Sequence, residues 1–232
     1  ANHIFAVSYS TKREVARTFH ISESRISVVY NAVEERFLTD PLPADADRIL
    51  ERHAVTGPYV LYAGAIKPQK NLPRLIEAFA VAKAELAAEH PEFAQLKLLV
   101  IGEAPARHAE LRSAVVRARV REDVRFLGFL PQPVLRVFYA RALAFLFPSL
   151  YEGFGLPPLE AMAHGTPVLT SNVSSLPEVF RDAALLVNPE NVFDIARGIR
   201  QILTDQPLRE TLIRCGYARA RSLSWQQAAE RV

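Results

Sequence analysis

The chain has 232 residues, of which 50% are hydrophobic and 23% are charged, and its net charge is +3. This balance is typical of an ordinary globular protein with a substantial core. The weak positive charge suits an anionic ligand and argues against nucleic acid as a partner. The single cysteine, Cys215, excludes an internal disulfide and fits a reducing compartment. No apolar run reaches the ~18 residues that a membrane span needs.

Short apolar runs alternate with helical patterns along the chain. They predict strands at 3–8, 26–30, 59–64, 96–102, 124–130, 143–149, 167–171 and 184–188. The runs from residue 59 onward are continuously apolar, which is typical of parallel strands covered on both faces. The sequence therefore predicts a doubly wound α/β domain, in which ligands bind at the carboxyl ends of the strands.

The segments between the strands read as helices and one linker. Residues 31–47 carry proline and charge clusters without a period, and they predict a linker. Asn71 is predicted to cap a long helix that ends near residue 90. Further helices are predicted at 105–120, 132–141, 157–164, 176–181 and over most of 191–231. Because the chain opens directly on a strand pattern, we expect it to be part of a longer protein.

The loop after the strand at 59–64 contains two lysines in the sequence GAIKPQKN. It matches no standard phosphate-binding motif. Lys67 and Lys70 nevertheless stand between a strand end and a helix start, where free backbone N–H groups favour an anion. The alternative is that both are ordinary solvated loop lysines.

The loop after Phe147 has the sequence PSLYEGFGLPPLE. Its two glycines let the backbone approach a ligand, and Phe154 between them is expected to be exposed. Glu160 falls in the first turn of the next helix, where the helix dipole alone explains a carboxylate. Glu152 has no such explanation, and carboxylates of this kind accept hydrogen bonds from sugar or ribose hydroxyls. A glycosidase needs its two carboxylates on either side of the scissile bond, which this spacing disfavours.

The residues EGFGLPPLE resemble the E-x7-E signature of the retaining GT-B glycosyltransferases of family 4. The segments GAIKPQKNLPRLIEAFA, VRFLGFL and AMAHGTPVLTSNVSSLPEV occur in the same order as in that family, so the resemblance covers nearly the whole chain. It implies a Rossmann-like, nucleotide-sugar-binding C-terminal GT-B domain at 36–222. Residues 1–35 would be a remnant of the N-terminal acceptor domain, most of which is missing, and 223–232 the start of the closing helix.

The resemblance also implies roles for individual residues. Glu152 would bind hydroxyls of the donor sugar, Glu160 would bind the ribose, and Lys70 would pair with the diphosphate and stabilise the leaving group. Glu152 and Lys70 would thus be the catalytic residues. The remaining donor contacts are expected at Gly64, Gly153, Phe154, Gly155 and Leu156, and the base is expected near Gly128, Phe129 and Leu130.

Two positions depart from the family pattern. Many members carry an arginine directly after the glycine of the first loop, where this chain has Ala65. In a related P-R-K-N motif the arginine position is Gln69 here. Lys67 offers a substitute cation, although a lysine does not replace a bidentate arginine.

The implied activity is retaining transfer of a hexose, with GDP-mannose as the first choice of donor, to a glycan or lipid-linked acceptor. No metal or cofactor is expected, and the chain alone is expected to bind donor without transferring sugar. The non-enzymatic alternative is a nucleotide-sugar-binding module. A cytoplasmic location is expected, with the inner membrane face as a second option.

Two further features have open alternatives. Membrane contact would use a basic helix carrying Arg107, Arg112, Arg117, Arg119 and Arg121, for which a solvated charged face is the alternative. His164, beside the signature helix, either reaches the cleft or lies on the surface.

Overall fold

The computed structural model describes residues 2–102 and 108–232. The strands are β1 Ile4–Ala6, β2 Ile26–Val28, β3 Tyr59–Ala63, β4 Lys97–Ile101, β5 Val124–Gly128, β6 Ala144–Phe147, β7 Val168–Ser171 and β8 Ala184–Val187. The helices are α1 Tyr9–Phe19, α2 Glu35–Thr39, α3 Ala46–Arg52, α4 Leu72–Glu89, α5 Ala109–Arg117, α6 Gln132–Arg141, α7 Leu156–Ala163, α8 Leu176–Phe180, α9 Val192–Thr204, α10 Gln206–Arg221 and α11 Trp225–Ala229.

The centre of the fold is a six-stranded sheet in the order β5-β4-β3-β6-β7-β8. All of its described pairings are parallel. Every residue of β3, β6 and β7 is buried, as expected for strands covered by helices on both faces. The strand order reverses between β3 and β6, so the loops that follow these two strands meet at a topological switch point.

Helices pack in two groups around this sheet. Helix α4 packs against α5 and α9, and α7 packs against α6 and α10. This arrangement confirms the predicted doubly wound α/β architecture. Each predicted strand is present, and its ends lie at the predicted residues or up to two residues inside them.

Strands β1 and β2 form a separate two-stranded parallel sheet, joined by α1. Ser8 caps α1, since its side chain accepts a hydrogen bond from the Thr11 N–H. We call residues 2–30 the N-terminal unit. It docks on α8, where the Glu178 carboxylate accepts hydrogen bonds from the backbone N–H groups of Tyr9 and Ser10 at 2.7 and 3.0 Å.

Two predicted segments differ from the structure. The predicted linker at 31–47 contains α2, because the side chain of Phe37 is buried in the core and anchors that turn. The predicted basic helix ends at Arg117, and Arg119 beyond it has a left-handed φ of 58°. Arg107 lies outside the described residues. The basic run therefore does not continue along one helix to Arg121.

Candidate functional site

The loops after β3 and β6 lie side by side at the switch point. The Leu150 N–H donates to the carbonyl oxygen of Gln69 at 2.7 Å, which joins the two loops. A parallel sheet brings the carboxyl ends of its strands to one edge, so residues far apart in sequence become neighbours there. Lys70 and Glu152, predicted separately from the two loops, are brought together in this way.

Lys70 and Glu152 form an ion pair. The Lys70 Nζ donates to Glu152 Oε1 at 2.5 Å, and the two side chains are only 15% and 12% exposed. The same Nζ lies 5.0 Å from the centroid of the Phe147 ring, which adds a cation–π contact. The lysine cation is therefore held at the strand ends by a carboxylate on one side and an aromatic face on another.

Asn71 occupies the predicted N-cap position of α4, but its side chain has a different role. Its backbone is left-handed, with φ of 61°, and its side chain makes no capping hydrogen bond among the described residues. Instead the buried amide donates to the carbonyl oxygens of Pro148 and Pro189 at 3.0 and 2.7 Å. Its Oδ1 accepts a hydrogen bond from Arg74 at 3.1 Å. Asn71 thus ties together the loops after β3, β6 and β8.

The loop from Glu152 to α7 is fixed by two serines. The Glu152 N–H donates to Ser174 Oγ at 3.0 Å, and Ser175 Oγ donates to the Glu152 carbonyl oxygen at 2.8 Å. Gly155 has φ of +99°, and a Cβ there would lie 3.0 Å from Leu176 Cδ2, so the turn requires glycine. Within the described part of the chain, backbone N–H groups without an acceptor follow Glu152, at Gly153, Phe154, Gly155 and Leu156.

Phe154 was predicted to be exposed, and this prediction is wrong. Its side chain is 4% exposed, and its ring lies 5.9 Å from that of Tyr30 in the N-terminal unit. Burial of a large apolar side chain is favourable, and the docked N-terminal unit supplies the surface that covers this one. The backbone of Phe154 stays at the predicted place, between the two glycines.

Glu160 is the fifth residue of α7, beyond the first turn in which it was predicted, and that turn contains no acidic residue. Its side chain is held by Tyr139. The Tyr139 hydroxyl donates to Glu160 Oε2 at 2.9 Å. Burial raises the pKa of Glu160, and the Tyr139 hydrogen bond opposes that rise. Sequence reasoning missed Tyr139, whose position on α6 has no motif of its own.

Glu160 and Tyr139 line a cavity of about 350 Å³ at the carboxyl ends of β3, β4 and β5. The other lining residues are Ala63, Gly64, Ala65, Ile101, Gly102, Phe129, Leu130, Leu135 and Pro157. A Cβ on Gly102 would lie 2.4 Å from the Gly64 carbonyl oxygen, so the loops after β3 and β4 pack too closely for any other residue. Gly128 is outside the lining.

The cavity and the ion pair are neighbours. A Cβ on Gly64 would lie 3.9 Å from Phe147 Cε2, in the ring that Lys70 covers. Gly64 therefore stands between the two parts of the site. Mainly apolar walls with one carboxylate suit a base and a ribose, and the nearby cation suits a phosphate.

His164 is not among the residues that line this cavity, and its side chain is half-buried, so it lies between the two predicted alternatives. Its Nδ1 lies 2.8 Å from the carbonyl oxygen of Glu160, and its ring stacks on Tyr139 and meets Phe37 edge-on. Burial lowers the pKa of His164. The imidazole therefore supports the helix that carries Glu160.

Residues 2–102 and 108–232 contain no group of three or more His, Cys, Asp or Glu side chains that could hold a metal ion. Over the same residues, no helix combines the length and apolarity that crossing a membrane requires.

Comparison of the sequence with known families gives one match. Residues 45–219 match the family of glycosyl transferases group 1. Among curated relatives, the O-antigen chain mannosyltransferase B of Escherichia coli is 35% identical over 227 residues, covering 97% of this chain and 58% of that protein. The O-antigen chain mannosyltransferase RfbU of Salmonella typhimurium is 31% identical, covering 86% and 50%. The chain thus spans about half the length of these relatives.

Solved glycosyltransferase structures share the fold. A glycosyltransferase from Rickettsia africae superposes with a TM-score of 0.84 at 17% identity, covering 99% of this chain and 61% of that one. Anabaena HepE, solved with UDP and glucose, gives 0.84 at 20%, covering 99% and 62%. The C-terminal domain of a group 1 family glycosyl transferase from Francisella tularensis gives 0.66 at 25%, covering 82% and 97%. With the family match extending over most of the chain, the protein belongs to the glycosyl transferases of group 1.

Proposed function

We propose that this chain is the donor-binding part of a retaining GT-B glycosyltransferase of family 4, which transfers a hexose from a nucleotide diphosphate sugar. The observation that carries the proposal is the pairing of Lys70 with Glu152 beside a cavity that contains Glu160. One cation and one carboxylate from the loops at the switch point, with a second carboxylate from the adjoining helix α7, suit the three polar parts of such a donor.

The base and ribose would occupy the cavity. Phe129, 85% exposed at its rim, and Leu130 offer apolar surface to the base, near Gly128. Glu160 would accept hydrogen bonds from the ribose hydroxyls, in the orientation that Tyr139 gives it.

The diphosphate and sugar would lie along the loop that follows β6. Lys70 and the backbone N–H groups of residues 153–156 supply positive charge for the diphosphate at the start of α7. Glu152 would accept hydrogen bonds from the sugar hydroxyls. Lys67 is exposed on the loop after β3. We propose it as the second phosphate-binding cation, in place of the arginine that many family members carry at the position of Ala65.

In the proposed reaction, the bond between the anomeric carbon and the diphosphate oxygen breaks, and its electron pair leaves with the diphosphate. The acceptor oxygen bonds to the same face of the sugar, and its proton passes to the departing diphosphate. Lys70 and the N–H groups of the loop stabilise the charge that grows on this leaving group. We propose that these groups suffice without a metal or other cofactor.

Mannose is the first choice of sugar because several curated relatives are named mannosyltransferases. HepE was solved with UDP and glucose, so uridine diphosphate sugars are the second candidate class of donor. The acceptor would be a glycan or a lipid-linked glycan, as for O-antigen chains, at the inner face of the membrane in the cytoplasm.

The proposed division of the chain follows the same scheme. Residues 36–222 would be the donor domain, 1–35 part of the acceptor domain, and 223–232 the start of the closing helix. The chain alone would then bind donor without transfer, and the full-length protein would catalyse the reaction.

The test combines binding and transfer. Glu160→Ala should lower the affinity of the chain for GDP or UDP at least about tenfold in calorimetric titration, the loss expected for hydrogen bonds to a charged group. Glu122→Ala changes an exposed carboxylate that precedes β5 at the opposite edge of the sheet, and it should leave both affinities unchanged. In the full-length protein, Lys70→Ala should abolish sugar transfer.

Unchanged nucleotide affinity in Glu160→Ala contradicts the ribose assignment. Near-normal transfer by Lys70→Ala contradicts the leaving-group role. Nucleotide-sugar binding with no transfer by the full-length protein would favour a binding module over an enzyme.

A further inference from the structure

Lys70 and Glu152 are each other's partners in the structure. Among the described residues, Lys70 is the only side chain that donates a hydrogen bond to the Glu152 carboxylate. Both side chains are largely buried, at 15% and 12% exposure, so water solvates neither group well. Removing one partner from such a pair leaves the other as a poorly compensated buried charge.

We propose that Glu152 is a specificity-determining residue that lets the site distinguish the sugar-bearing donor from the spent nucleotide. It does so by competing with the diphosphate for Lys70. This inference rests on the proposed donor site and adds a role that binding of the sugar alone does not require.

The spent nucleoside diphosphate competes with Glu152 for Lys70 but offers the carboxylate no hydrogen-bond donor in return. Its phosphates recruit Lys70, and the Glu152 carboxylate then loses its one side-chain donor while an anion arrives beside it. Two like charges close together at a poorly solvated place repel each other. The ion pair in the free site therefore opposes binding of the nucleotide product.

The intact donor removes that opposition. Its sugar hydroxyls donate to the Glu152 carboxylate at the same time as the diphosphate takes up Lys70, so both halves of the pair find new partners. Once the sugar has been transferred, the carboxylate again lacks donors and Lys70 returns to it. The expected consequence is retention of the donor and release of the spent nucleotide.

Two other roles for Glu152, a purely structural ion pair and a simple sugar contact, predict different changes in ligand affinity when the residue is replaced. Loss of a structural pair would weaken every ligand, because the loop would lose its position. Loss of a simple sugar contact would weaken the donor and leave the nucleotide unchanged. Competition alone predicts that neutralising Glu152 weakens the donor and strengthens the nucleotide.

The experiment measures dissociation constants by titration calorimetry for GDP, UDP, GDP-mannose and UDP-glucose, with the 232-residue chain. Glu152→Gln keeps the size of the side chain and removes its charge. We expect GDP or UDP to bind about tenfold more tightly and the matching nucleotide sugar about tenfold more weakly, the scale of one charge-assisted hydrogen bond. Glu152→Ala should change both affinities in the same directions, and it replaces the Gln variant in the experiment if that variant does not fold.

The matched control is Asp123→Asn. Asp123 is another partly buried carboxylate, paired with Lys83 and with Lys97, and it directly precedes β5 at the opposite edge of the sheet. Its loss should lower stability and leave all four dissociation constants unchanged.

Each outcome decides the question. Opposite shifts for nucleotide and nucleotide sugar support the competition. A parallel weakening of both ligands, or an unchanged nucleotide affinity, overturns it while leaving the donor site intact. If the unaltered chain binds none of the four ligands, the proposed function itself fails, and the competition fails with it.

Discussion

Glu160 is a carboxylate whose charge depends on one neighbour. Burial raises its pKa, and the hydrogen bond from Tyr139 limits the rise by stabilising the ionised form. The ionised form is the better acceptor for ribose hydroxyls. Nucleotide affinity should therefore fall as the pH drops through the raised pKa of Glu160, and this fall should begin above the pH at which an ordinary glutamate is protonated.

Tyr139→Phe tests this dependence. Without the hydroxyl, the pKa of Glu160 rises further, so the fall in nucleotide affinity should move to higher pH. Affinity near neutral pH should also drop, because Glu160 loses the hydroxyl that orients it and a smaller fraction of it is ionised. The measurement is the dissociation constant of GDP or UDP from about pH 5 to about pH 8.

Tyr59→Phe is the control for that experiment. It removes another buried tyrosine hydroxyl, which donates to the Phe138 carbonyl oxygen at 2.9 Å from the amino end of β3. It should leave the pH profile of binding unchanged. A Tyr139→Phe profile that coincides with that of the unaltered chain contradicts the positioning of Glu160 by Tyr139.

At the scale of elements, one carboxylate on α8 holds the N-terminal unit. Glu178 accepts the N–H groups of Tyr9 and Ser10 at the start of α1, where a negative charge is favoured by the helix dipole. It also accepts the Tyr30 hydroxyl at 2.8 Å, and burial together with this bond raises the pKa of Tyr30 to about 12. Tyr30 therefore stays protonated and remains a donor.

Glu178→Gln should loosen this contact. The glutamine amide has only one acceptor oxygen, and its NH₂ group would point at the N–H donors of α1, with which it cannot form hydrogen bonds. We expect the amides of α1 to exchange hydrogen about tenfold faster, since local opening becomes easier. Hydrogen-exchange mass spectrometry measures the effect, and the amides of the six-stranded sheet serve as an internal reference.

Glu190→Gln, which changes an exposed carboxylate in the same way, should leave α1 exchange unaltered. If α1 exchanges at the same rate in the Glu178→Gln variant as in the unaltered chain, Glu178 does not hold the unit.

The elements also show where sequence reasoning succeeds. Continuous apolar runs predict strands because burial on both faces leaves a local signature, as in β3. Asn71 stands at the predicted N-cap of α4, but its amide bonds carbonyl groups 77 and 118 residues away instead of capping the helix. The burial of Phe154 and the role of Glu178 likewise depend on distant partners, which no local pattern contains.

For the whole molecule, binding of the correct donor should raise the unfolding temperature. A ligand at 100 times its dissociation constant stabilises the folded state by about 2.7 kcal/mol. For a chain of this size, that is a shift of about 5 to 10 °C. Thermal unfolding with GDP-mannose, UDP-glucose and other nucleotide sugars should therefore identify the donor by the largest shift.

The Glu160→Ala variant should lose most of that shift. Equal or absent shifts for all nucleotide sugars, at concentrations that saturate related enzymes, would contradict the donor-binding assignment for this chain.

At this scale the family pattern predicts Lys70, Glu152 and Glu160 as site residues but not their relation to one another. Lys70 and Glu152 are 82 residues apart in sequence, and their pairing exists only because β3 and β6 are adjacent. The order of strands in a sheet is a long-range property, so spacing along the chain places the groups without showing which of them touch.

The switch point has a further consequence for how the fold is assembled. The order of the sheet divides it into two halves, β3–β5 and β6–β8, each built from consecutive strands. The described strand register across their junction pairs Val60 with Ala144 and Leu61 with Phe145, and the Leu143 N–H donates to the Tyr59 carbonyl oxygen at 2.9 Å. Because Lys70 comes from one half and Glu152 from the other, a ligand that engages both acts as a crosslink between them. Substrate binding should therefore strengthen this junction more than either half, and slow unfolding that begins there.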